Sequence, residues 1–128
     1  MATWPGVTGQ VVTSSAWNGL PAFTVASDKT VDYTAASGDE YQQLIPMNKG
    51  TAVAFKIPTN ATYAFPVGTV ITVLNKGAGT CTISAVTSGT TTVLSAGATA
   101  ASPTLAQYKS AACIKTATDT WYVVGAIA

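Results

Sequence analysis

The sequence contains no histidine and no arginine; all six of its basic residues are lysines. Without histidine there is no Ser-His-Asp arrangement, no imidazole metal site and no side chain that ordinarily titrates near neutral pH. Without arginine there is no bidentate clamp for phosphate or carboxylate. Charge of either sign is scarce. Charged residues make up 9% of the chain, against about 25% in an ordinary soluble domain. The net charge of +1 argues against electrostatic binding to nucleic acid or to an anionic membrane surface. Long apolar runs are missing too, since Pro66, Gly68 and Thr72 interrupt the best candidate, and a membrane-spanning helix needs about 18 or more continuous apolar residues. The start, Met1-Ala2-Thr3-Trp4-Pro5, lacks the basic and long apolar regions of a secretion signal. Synthesis in a cytoplasm is therefore expected, with Cys81 and Cys113 reduced. Both cysteines fall in alternating segments and read as small buried apolar side chains, a disulfide between neighbouring strands being the alternative.

The residues that remain offer little for chemistry. Asp28, Asp32, Asp39, Glu40 and Asp119 are the only acids. Asp39 and Glu40 are adjacent, which in a strand or turn points them apart and makes a poor glycosidase pair. Asp28 and Asp32 lack the spacing of a calcium loop and read as solvated. Lys76-Gly77-Ala78-Gly79-Thr80 has the wrong order for a phosphate loop and is followed by a strand pattern; it reads as a hairpin turn. Trp4, Trp17 and Trp121 with nearby tyrosines could form a sugar platform, but packing in core and interfaces is the simpler role. No enzymatic activity, cofactor or metal is expected.

Low charge together with a mean hydropathy of +0.33 suits a subunit that covers a neutral surface with neighbours. Disorder is excluded by the wealth of β-branched residues. The length of 128 residues suits one domain with a real core, and a chain of this length starting at Met1 is expected to be a complete small protein. Residues 1–20 carry no charge, two tryptophans and the turn dipeptides Pro5-Gly6 and Asn18-Gly19, with no strand or helix period. They read as an extended N-terminal arm, with Trp4, Pro5, Val7, Val11, Val12 and Trp17 as its partner-binding residues, packing of Trp4 and Trp17 on the domain's own core being the alternative. Residues 21–128 read as one β domain. Short alternating segments separated by glycine turns predict an all-β fold, a small antiparallel β-sandwich or barrel, with no helix of ten residues or more. Tyr41 to Met47 reads as a strand broken by Pro46, hence an edge. Asn60 to Gly68 reads as an irregular loop anchored by Tyr63 and Phe65. The expected core is Val53, Phe55, Ile57, Val70, Ile83, Ile114 and Trp121.

Tyr63 to Thr80 (YAFPVGTVITVLNKGAGT), followed by CTISAV, TTTVLSAG and AACIKTATDTWYVVG, resembles a β module of tailed-bacteriophage virion proteins. Its marks are Pro66-Val67-Gly68, Gly77-Ala78-Gly79 and Trp121-Tyr122-Val123-Val124-Gly125, in that order, and the likeness covers Thr51 to Ala128. Such modules occur in head-decoration or head-fibre proteins and at the ends of tail fibres. The resemblance implies a structural virion protein without chemistry, made in the bacterial host cytoplasm. It would decorate or cement the capsid through the major capsid protein, or another virion protein, and self-associate as a homotrimer. A tail-fibre, receptor-binding or carbohydrate-binding component is the alternative.

Overall fold

The computed structural model describes residues 24–41, 44–95 and 102–127. These residues form nine strands and one short 3-10 turn: β1 (Tyr33–Thr34), the turn Asp39–Tyr41, β2 (Leu44–Met47), β3 (Val53–Ile57), β4 (Val70–Asn75), β5 (Cys81–Ala85), β6 (Thr92–Ser95), β7 (Thr104–Leu105), β8 (Ser110–Ala117) and β9 (Thr120–Gly125). The expectation of an all-β chain holds, and no α-helix occurs among the described residues. The expected arm, residues 1–20, and its boundary with the β domain lie outside them.

The strands build two open sheets, one in the order β1-β3-β5-β7 and one in the order β2-β4-β8-β9-β6. The expected antiparallel pairing is corrected. β1–β3, β3–β5, β2–β4 and β6–β9 are parallel, whereas β4–β8, β5–β7 and β8–β9 are antiparallel. Each sheet has two ends, so the barrel alternative is corrected as well.

The reason lies in two turns. Residues 48–52 and 76–80 do not fold their flanking strands into hairpins; each carries the chain from the five-stranded sheet to the four-stranded one. Strands two apart in sequence then become neighbours and must run parallel. Leu44 stands beside Thr72 and Val53 beside Cys81 with the same offset, so the whole strand-turn-strand segment 44–57 lies in register on 72–85. The turns stack as closely as the strands. Gly79 N–H donates to Lys49 O at 3.0 Å, and a Cβ at Gly77 or Gly79 would run into the backbone of Lys49 or Thr51. Here glycine permits close backbone approach. Asn75, fully buried, fixes the second turn from inside: its Nδ2 donates to Gly79 O and to Leu105 O, both at 2.8 Å, and its Oδ1 accepts from Gly77 N–H at 3.1 Å.

A single core draws on both sheets, with Ile45, Ile71, Val73, Cys113, Trp121 and Val123 from one, and Val53, Phe55, Ile57, Ile83 and Leu105 from the other. Five of the seven expected core residues are among them. Val70 and Ile114 are corrected: Val70 is 44% exposed and Ile114 half-buried, while their neighbours Ile71, Cys113 and Lys115 point inward. Both cysteines are buried and free, as expected. Pro46 sits in β2, but the expected edge strand over Tyr41 to Met47 is corrected: Tyr41 belongs to the 3-10 turn, and residues 24–29 pair along the side of β2 away from β4, with Ala26 N–H donating to Leu44 O and Lys29 N–H to Pro46 O, both at 2.9 Å. Phe65 anchors its loop by an edge-to-face contact with Trp121 at 5.7 Å between centroids, and Tyr63 packs the same way on Phe65 at 4.5 Å.

Candidate protein-interaction surface

The two sheets turn different outer faces to their surroundings. On the four-stranded sheet the registers align Thr34, Lys56 and Ser84 in one row and Ala54, Thr82 and Thr104 in the next. That face is hydroxyl-rich and carries a lysine. On the five-stranded sheet one row runs Val70, Ile114, Tyr122, Leu94, and the next runs Leu44, Thr72, Ala112, Val124. No outward position on these five strands carries a charge. The residues keep substantial exposure: Val70 44%, Tyr122 43%, Val124 46%. Strands in an antiparallel or mixed sheet with one solvated face alternate apolar and polar; β4 and β9 here are apolar on both faces. An apolar patch of this kind is a candidate place of contact with another apolar surface.

The acidic side chains are dispersed, and each has its own hydrogen-bond partners. Tyr33 Oη donates to Asp39 Oδ2 at 2.7 Å; burial, and then this bond, pushes the phenol up to about 12. Tyr63 Oη donates to Glu40. Burial acts to raise the Glu40 carboxyl, but the bonds from Tyr63 and from backbone N–H groups outweigh it and hold it below its ordinary value. Asp39 and Glu40 thus serve two different tyrosines. Asp28 pairs with Lys76 at 2.9 Å and accepts from Asn48 at 3.0 Å, and these bonds lower its pKa. Asp32 Oδ1 accepts from Ala54 N–H at 3.0 Å. No group of three metal-ligating side chains occurs among the described residues.

Lys115, only 3% exposed, donates to Asn60 Oδ1 and to Phe65 O, both at 2.6 Å. Asp119 Oδ1 accepts from Asn60 N–H at 2.7 Å and from Thr91 Oγ1 at 3.0 Å. These bonds fasten the loop before β4, and the start of β6, to the β8–β9 hairpin. A cleft of about 220 Å³ between β5 and β6 is lined by Ser84, Ser88, Thr91, Thr92 and Val93 among others, and offers hydroxyls without a charged group. Burial pushes the Cys81 thiol up to about 11 and the Cys113 thiol up to about 12, so neither is a nucleophile at neutral pH.

The sequence-expected partner residues Trp4, Pro5, Val7, Val11, Val12 and Trp17 all lie outside the described residues. Trp121, considered for a sugar platform, is 2% exposed and therefore cannot contribute to one. The outer face of the five-stranded sheet did not emerge from the sequence as a surface. Its trace was there: in Thr69 to Asn75 (TVITVLN) the apolar residues Val70, Ile71, Val73 and Leu74 occupy both faces of the strand. Comparison with family models, with curated proteins and with solved structures found no match.

Proposed function

We propose that the protein is a structural subunit of a bacteriophage virion. It acts through protein–protein contacts and carries out no chemistry, and it decorates or cements the capsid. The observation that carries a contact-making role is the uncharged apolar face of the five-stranded sheet, set against a polar face on the other sheet. The virion assignment is supported by the resemblance of Thr51 to Ala128 to phage virion modules. In this reading the two sheets pack as a β-sandwich, the subunits associate as a homotrimer, and residues 1–20 attach it to the major capsid protein through Trp4 and Trp17, tryptophan being prominent among residues that dominate binding energy.

Immunogold electron microscopy tests the assignment, on particles purified from a lysate of the bacterium that carries the gene. Gold over the heads is the expected result. Gold at the tail tip supports the receptor-binding alternative instead, and unlabelled particles overturn the virion assignment. The arm is tested by deleting residues 2–17. The truncated protein is expected to fold and to lose particle binding, and Trp4→Ala to weaken attachment by about 2 kcal/mol. A truncated protein that still saturates the particles shows that attachment is made elsewhere.

A further inference from the structure

We infer that the outer face of the five-stranded sheet is the surface on which copies of this chain pack against one another. This rests on the proposed function only in treating the protein as a structural subunit; it does not need the virion assignment.

The face is regular. Its rows follow the strand registers, with Val70, Ile114, Tyr122 and Leu94 in line across four strands. Five strands at about 4.8 Å spacing make it about 19 Å wide, and the outward positions, from two on β2 and β6 to four on β8, make it at most about 20 Å long, an area of at most about 400 Å². A flat sheet face of this kind is well covered by the same face of other copies, either as a pair about 10 Å apart or as three faces turned toward a threefold axis, because the outward side chains then interdigitate. Among the described residues the chain has one such face. The other sheet presents Thr34, Lys56, Ser84, Thr82 and Thr104, whose hydroxyls and ammonium would lose water without gaining partners against hydrocarbon.

Charge points the same way. A surface meant for a chemically different partner commonly carries charges that choose the partner and orient it. This face has none, so nothing on it selects a charged partner and nothing repels a second copy of itself. Two faces together remove at most about 800 Å², less than the roughly 1,200–2,000 Å² of a stable specific pair. The face is therefore the apolar centre of a larger contact, and association is expected to depend on concentration.

Sedimentation equilibrium across the micromolar range, with circular dichroism to establish folding, is the test. The wild-type chain is expected to associate. Val124→Lys and Tyr122→Lys, both at exposed outward positions, are expected to weaken association at least tenfold while the spectrum and melting profile are kept. Thr82→Lys, on the outer face of the other sheet, is the control and is expected to associate like wild type. Association unchanged in folded Val124→Lys and Tyr122→Lys overturns the inference. So does a wild-type monomer. If deletion of residues 2–17 turns such a monomer into an associating species, the chain's own N-terminal segment is the occupant. Because gold labelling of particles is read separately, a virion-located monomer overturns this inference and leaves the proposed function standing.

Discussion

Asn75 shows how one buried polar side chain holds the architecture. It is the inward residue that closes β4, where the alternation calls for an apolar side chain, and it joins the 76–80 turn to β7. Asn75→Ala removes the partners of two carbonyl groups and one N–H and leaves them buried. A loss of about 3 kcal/mol or more is expected in urea unfolding, and a loss under about 1 kcal/mol would show that water replaces the amide. The cysteines make a second prediction. Their thiols are raised from 9.0 to about 11 and about 12 by burial. The folded state thus favours the neutral thiol, a stabilisation that is full below pH 9 and is lost as pH rises toward 11 and 12. The unfolding midpoint is expected to fall between pH 8.5 and pH 10.5, and the fall to be smaller in the Cys81→Ala, Cys113→Ala variant. An identical pH slope in that variant would show that other groups control alkaline stability.

At the scale of elements, legibility in the sequence followed polarity contrast. β3 and β5 alternate cleanly between apolar and small or polar residues, and Val53, Phe55, Ile57 and Ile83 face inward as expected. β4 and β8 gave the wrong face because their outer faces are apolar too. In β8 both Ile114 and its neighbour Cys113 read as buried, although adjacent strand residues face opposite ways, and the buried Lys115 runs against the usual meaning of a lysine. A strand that is apolar on both sides has no register to read from periodicity, and that ambiguity is itself the trace of the proposed interaction surface. Parallel pairing was hidden for another reason. Whether a glycine turn returns a strand to its own sheet or passes it to the next depends on backbone stacking between distant turns, here Gly77 and Gly79 on Lys49 and Thr51. The corrected registers are checked by a pair of truncations. Ile83→Ala is expected to cost about 2–5 kcal/mol. Ile114→Ala, measured in dissociated subunits, is expected to cost about 1 kcal/mol or less. Equal costs would return Ile114 to the core.

For the whole molecule, the distribution of polarity carries the account. The chain carries few charges, holds its acids separately with tyrosines, backbone, neutral side chains or one lysine, and leaves one sheet face largely apolar and uncharged. In the proposed reading, a protein organised this way gains its function from the surfaces it meets. The most direct measurement is hydroxyl-radical footprinting of the tyrosines at two protein concentrations, below and above the onset of association. Tyr41 and Tyr108 are exposed by 74% and 78% and lie off the five strands of this sheet; Tyr122 lies on its outer face, on β9 between β8 and β6, exposed by 43%. Tyr122 is expected to lose most of its reactivity in the associated protein while Tyr41 and Tyr108 keep theirs. Equal reactivity of Tyr122 at both concentrations, with association independently established, would contradict the claim that this face is the contact surface.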